Sequence, residues 1–315
     1  MSSRDRLLAV FVAVLWGANF LAIHIGLEHF PPLFLAALRF AVIAIPTVLF
    51  VPRPRVKLRW LLGYGVGFGT LQFLFLFIAM ANGMPTGLAS LVLQASAPFT
   101  VLLGAALLRE RIGRRQGIGI GLAVLGMAAI AVARAQTAAL LPVVLTLCGA
   151  LGWALGNLAS RRAVADVEPG VPAPNPLHLT LWMSVIPPIP LLVASWITEG
   201  PDAGWRALQE AVTPAGLPGV LAVAYIAVIA TVLGAGIWTS LMRRHNAGVV
   251  APYSLLVPVV GIALAAAVLG ERPSVVELIS AAVIVFGVLL GTPRAAKAVV
   301  PVAPEPVVVT STPSH

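Results

Sequence analysis

Charge is what this chain of 315 residues is shortest of: 10% of it is Asp, Glu, Lys or Arg, against 59% hydrophobic. A soluble domain carries roughly 25% charged residues, so a water-facing surface of ordinary composition is excluded. Lysine is scarcer still, with Lys57 and Lys297 the only two among twenty basic residues. Beside so much Ala, Gly and Pro, that reads as a genomic base-composition bias rather than arginine chemistry. The single cysteine, Cys148, excludes an intramolecular disulfide and a thiol metal cluster. No G-x-x-x-x-G-K-[ST] phosphate loop is present, so the chain does not power itself with ATP. H-E-x-x-H, C-x-x-C and clustered carboxylates are lacking, the five histidines are scattered, and no Ser/His/Asp arrangement is legible. No metal or cofactor is therefore expected, and the balance moves from enzyme to transporter. The net charge of +9 falls in short clusters between apolar runs. It forms no patch, and no nucleic-acid partner is expected.

What is present is apolar sequence in lengths that suit a bilayer. Hydrocarbon about 30 Å thick needs roughly 20 apolar residues per helix. Ten runs qualify: 7–27, 33–51, 61–81, 86–108, 117–133, 140–160, 177–198, 217–241, 248–269 and 274–291. The expectation is an all-α integral membrane protein of ten transmembrane helices with the lipid bilayer as partner. The first run follows Arg4 and Arg6, but it is too long for a signal-peptide core and lacks a small-x-small cleavage site. It is read as retained.

The basic residues set the orientation. Sixteen of the twenty lie before run one, between runs two and three, between four and five, and after six, eight and ten. The opposite side has Arg134, Arg206 and Arg272, while Arg39 lies inside run two. The positive-inside rule then puts both termini in the cytoplasm.

The two halves repeat. Glu110-Arg111 and Glu271-Arg272 lie 161 residues apart, as do Gly87 and Gly248, and Gly126 and Gly287; Pro98 and Pro258 lie 160 apart. Five runs per half is an odd number, so the second half must enter from the other side. That predicts two inverted five-helix repeats, 5–133 and 140–291, followed by a disordered cytoplasmic tail over 292–315. Trp16 and Asn19 in run one are echoed by Trp153 and Asn157 in run six. Glycine pairs four apart, such as Gly63/Gly67, Gly117/Gly121 and Gly152/Gly156, suit close helix packing within the chain, with a dimer interface as the lesser use. The oligomeric state is left as monomer or homodimer.

Polar groups inside the spans carry the functional signal, because an unpaired one in lipid costs several kcal/mol. The amides of Asn19 and Asn157, facing one cavity, suit an amino or carboxyl group; the alternative is a helix–helix amide bond. Gln72 and Gln94 join that cavity, Gln94 one turn before Pro98, with Ser254 standing similarly before Pro258. The two prolines are expected to kink their helices and free a carbonyl. Trp16, Trp153 and Trp238 can wall a cavity or pack. Arg39 is the basic residue set well inside a span, roughly 10 Å from the outer boundary. Centring an Arg in a helix costs about 2.5–3.5 kcal/mol on insertion scales. A substrate carboxylate gripped by two parallel hydrogen bonds is one compensation. Snorkelling, free carbonyls or the carboxylate of Glu28 are others.

Trp16-Gly17-Ala18-Asn19-Phe20, the run from Pro31-Pro32 to Leu38-Arg39-Phe40, and Ala89-Ser90-Leu91-Val92-Leu93-Gln94 resemble the EamA family of the drug/metabolite transporter superfamily. Gly234-Ala235-Gly236-Ile237-Trp238 and the stretch from Ala251-Pro252-Tyr253-Ser254 to Pro258-Val259-Val260 look like its branch of bacterial O-acetylserine and cysteine exporters. The resemblance covers residues 5–291. It implies a ten-helix inverted-repeat exporter in the bacterial inner membrane that releases small amino-acid metabolites; cysteine, O-acetylserine or a related amino acid is the expected substrate, moved by alternating access. The expected cavity, near the midplane between the repeats, is walled by Trp16, Asn19, Gln72, Gln94, Trp153, Asn157, Trp238, Tyr253 and Ser254, with Arg39 for the carboxylate. Arg109 departs from the family's Gly before Glu-Arg, and the Pro-rich loop 169–176 and the tail after Gly291 are atypical. Efflux of apolar drugs on the same fold, and a membrane enzyme acting on lipid-linked substrates, are the rival readings.

Overall fold

A computed structural model describes residues 1–109, 111–135, 140–167, 170, 172–245 and 247–291. Glu110, Pro169 and the tail 292–315 lie outside the described residues. Among the described residues the regular structure is all helical, with no strand. A backbone in hydrocarbon must satisfy its own hydrogen bonds, and the helix does so within one segment. In order these are α1 (Ser3–Leu27), α2 (Pro32–Phe50), α3 (Leu58–Ala81), α4 (Thr86–Leu108), α5 (Arg114–Ala135), α6 (Leu140–Ala165), α7 (Pro176–Thr198), α8 (Ala203–Ala211), α9 (Pro214–Arg244), α10 (Pro252–Leu269) and α11 (Val275–Gly291).

Eight of these, α1–α4, α6, α7, α9 and α10, are long and apolar enough to cross a membrane. Of the expected spans, 117–133 and 274–291 fall on α5 and α11, which are not among the eight. Helix α5 opens on Arg114 and Arg115, and the apolar part of α11, Val275–Leu290, is shorter. These two pack on each other: a Cβ on Gly126 would stand 2.7 Å from Ile284, and one on Gly287 would stand 2.6 Å from the Gly119 carbonyl. The span expected at 177–198 is broken after Met183, where Pro187, Pro188 and Pro190 withhold three donors and α7 resumes at Pro188. Leu125, Ile189, Ile279 and Phe286 are each more than half exposed. Water would not tolerate so broad an apolar surface; lipid does.

The irregular turns recur at matched places. Helix α3 carries a π-helical stretch over Gly65–Leu71, and α9 carries one over Tyr225–Leu233. In each, a threonine hydroxyl donates to the carbonyl five residues back: Thr70 to Gly65 and Thr231 to Ile226. Pro98 is preceded by a 3₁₀ turn over Leu93–Ala95, and Pro258 by one over Ala251–Leu255. The missing proline N–H is absorbed by tightening the turn before it. Both helices end on a left-handed residue, Arg109 at φ 55° and Gly270 at φ 67°.

Packing is reciprocal. Helix α1 lies on α9 and α10, and α6 lies on α3 and α4, while α2 meets α7, α4 meets α10 and α5 meets α11. The α3–α6 crossing is so close that a Cβ on Gly67 would sit 2.5 Å from the Gly156 amide nitrogen. Side chains tie the halves together at both ends. Asp5 bonds Arg244 at 3.0 Å and His245 at 2.9 Å, and Asp166 bonds Lys57 at 2.5 Å and Arg59 at 2.7 Å. At the far end, Glu199 accepts from the Leu33 and Phe34 amides, and Glu271 from those of Thr86 and Gly87. Each of these carboxylates caps the positive start of a helix from the other half.

Candidate functional site

The polar interior is organised by the π-helical stretch of α9. A π turn shifts the hydrogen-bond register and leaves carbonyls open to side chains. Ala230 O accepts from Trp16 Nε1 at 2.9 Å, and Tyr225 Oη donates to Leu15 O at 3.0 Å, so α1 is fastened to this stretch twice. On the next residue, Thr231 Oγ1 accepts from Arg39 Nη2 at 2.9 Å. Trp16 and Arg39 are thereby fixed to consecutive residues of α9.

Arg39 is 3% exposed, and its guanidinium carbon lies 4.1 Å from the Phe73 ring centroid and 5.0 Å from that of Phe40. Its Nε and Nη1 are buried without a partner, and among the described residues no carboxylate pairs with it. It has not snorkelled outward, and Glu28 pairs with His24 instead, at 3.5 Å. Thr231 takes one of the two Nη2 hydrogens. One parallel pair of N–H groups is therefore left complete, the edge that a carboxylate accepts.

Gln72 precedes Phe73 on α3, is 3% exposed, and its Oε1 is buried without a donor. Asn19 follows Trp16 by one turn of α1, and its Oδ1 is also buried and unpartnered. Trp238 stacks at a tilt on Trp16, ring centroids 5.1 Å apart, and Tyr253 packs with Trp238 around Ala9, Leu241 and Val250. Trp153 meets Phe68 edge-on at 5.8 Å, and Phe68 meets Phe73 at 6.1 Å, which links it by rings to Arg39. Asn157 is engaged elsewhere, donating from Nδ2 to Thr100 Oγ1 on α4 at 3.2 Å. Gln94 and Ser254 lie in the 3₁₀ turns before Pro98 and Pro258, each half-buried. Two cavities lie away from this cluster. One of about 160 Å³ sits beside Gly87, Leu91, Glu271 and Arg272, and one of about 320 Å³ between Phe34, Trp196 and Trp205.

The profile of the EamA-like transporter family matches this sequence twice, over residues 6–132 and 140–292. The chain belongs to the EamA-like transporter family. It is thus a multi-pass membrane transporter of a small molecule, not an enzyme. Among its relatives, a probable amino-acid metabolite efflux pump of Salmonella typhimurium is 43% identical over 92% of this chain and 95% of its own. A protein of the same description from Escherichia coli is 42% identical over the same shares. A crystal structure 22% identical superposes with TM-score 0.58 over 93% of this chain and 98% of its own, and so shares the fold.

In this EamA-like transporter the π-helical stretches, Thr231, Phe73 and Tyr225 are parts of the candidate site that sequence reasoning missed. A signal for the threonines existed: Thr70 and Thr231 stand 161 residues apart, the period of the glycine landmarks. The two stretches are not furnished alike. That of α9 holds Arg39, whereas at Gly69 of α3 a Cβ would come within 3.0 Å of Met183 Sδ.

Proposed function

We propose that this protein exports small amino-acid metabolites, cysteine and O-acetylserine among them, across the bacterial inner membrane by alternating access. The observation that carries the reading is Arg39, a buried guanidinium with an unpaired bidentate edge and no carboxylate partner among the described residues. A substrate carboxylate supplies the missing acceptor, and the efflux-pump relatives support the substrate class. Ten membrane helices in two inverted halves, 5–133 and 140–291, fit the reciprocal packing and the matched irregular turns. Cytoplasmic termini fit the basic loops gathered at the end held by Asp5 and Asp166. The binding region lies between the halves, with Trp16, Asn19, Gln72, Trp153, Trp238 and Tyr253 around Arg39 and with Gln94, Asn157 and Ser254 at its edges.

The test is efflux of labelled cysteine and O-acetylserine from proteoliposomes holding only this protein. Arg39→Gln is expected to lower the rate about tenfold or more, and Arg39→Lys to fall close to it, because a point charge does not reproduce the planar fork. If both variants, equally abundant and inserted, export at the parent rate, the carboxylate is held elsewhere.

A further inference from the structure

Resting on that reading of Arg39, we infer that Gln72 and Asn19 form an ammonium subsite beside it, so that the transporter selects α-amino zwitterions with both charges intact. The buried cluster has two unmet needs of opposite sign. Arg39 Nε and Nη1 lack acceptors, while Gln72 Oε1 and Asn19 Oδ1 lack donors. Buried polar groups are nearly always satisfied, and each orphan calls for a partner. These four atoms do not satisfy one another, so the group that completes them must both accept and donate.

Asn19, Arg39 and Gln72 stand on α1, α2 and α3, which pack on one another. Arg39 is pinned to Thr231 and Trp16 to Ala230, neighbours on α9. Asn19 lies on the same face of α1 as Trp16, about 4.5 Å further along the axis. Gln72 precedes Phe73 in the sequence, and the guanidinium lies over the Phe73 ring at 4.1 Å. An α-amino acid carries its carboxylate and its ammonium on one carbon. The carboxylate accepts from the guanidinium edge, and the three ammonium protons find two amide oxygens. The Trp16 and Trp238 rings offer π faces to the same cation. A carboxylate alone would answer Arg39 and leave both amide oxygens without donors. Asn19 differs from Asn157, which spends its amide on Thr100, in that its Oδ1 has no donor.

The experiment measures competition against labelled cysteine flux in proteoliposomes of the full chain, under reducing conditions. The competitors are unlabelled cysteine, 3-mercaptopropionate, which lacks the ammonium, and cysteamine, which lacks the carboxylate. The smaller analogues add no bulk, so rejection cannot come from a clash. In the parent, 3-mercaptopropionate is expected to compete about tenfold or more weakly than cysteine, and Gln72→Met to bring the two within about threefold. Cysteamine is expected to compete weakly in both. If 3-mercaptopropionate competes as well as cysteine in the parent, the ammonium subsite is wrong while the export reading stands. That comparison decides the matter even where Gln72→Met fails to insert. If the parent moves no cysteine at all, the export reading falls and this inference falls with it.

Discussion

Arg109 ends α4 in the left-handed region, at φ 55°, where Gly270 ends α10 at φ 67°. An L side chain there meets its own carbonyl, at a cost of roughly 1–2 kcal/mol. Arg109→Gly should therefore stabilise the protein by about 1 kcal/mol and raise its unfolding midpoint in detergent. An unchanged or lower midpoint would show that the Arg109 side chain earns its place at that surface. Single residues were unevenly legible in the sequence. Arg39 stood out because a charge inside an apolar run has few uses. Its partner Thr231 did not, since a threonine in a hydrophobic helix is ordinary and only the π turn gives it a role. Asn19 and Asn157 read as equals, yet one meets Thr100 and the other has an unpaired oxygen. A sequence period places residues along helices without saying which neighbour each will find.

Among the elements, the prolines were readable and the π turns were not. Pro98 and Pro258 announce irregularity because each lacks an N–H, and a tightened turn does precede each. Nothing in Gly65–Leu71 or Tyr225–Leu233 announces an extra residue per turn; the close α3–α6 crossing and the side chains from α1 and α2 accompany it. The junction between the start of α3 and the end of α6 has a titratable centre. Hydrogen bonds from Lys57, then Trp60 and Arg59, hold the Asp166 carboxyl well below the usual carboxylate range, outweighing the opposing effect of burial. A depressed folded value means the carboxylate stabilises the fold above the ordinary pKa and stops doing so as pH falls through the folded one. Asp166→Asn is therefore expected to melt below the parent at pH 7, with the gap closing as pH drops beneath about 4. Parallel melting curves across that range would show that the bonds to Lys57 and Arg59 contribute nothing.

At the scale of the whole molecule, composition and charge clusters were enough to read a helical membrane protein, because lipid admits so few solutions. Which helices touch was not readable, since all their faces are apolar. The acids Asp5, Glu199, Glu271 and Glu277 lie at helix ends or in the first turns, not at mid-span. Cysteine flux at zero potential should therefore be the same with and without a pH gradient; a severalfold response that survives replacement of His24 would point to a proton relay elsewhere. The contacts at the two ends differ in kind, and ionic strength should tell them apart. One end is held by partly exposed ion pairs, the other by carboxylates seated on backbone amides. The Debye length shrinks from about 10 Å at 0.1 M salt to about 3 Å at 1 M, which weakens exposed pairs first. Across that range, amide exchange should accelerate around 57–60 and hold steady at Thr86 and Gly87. The two ends of the protein thus answer to different properties of the medium, one to its ion atmosphere and the other to the intactness of a helix start.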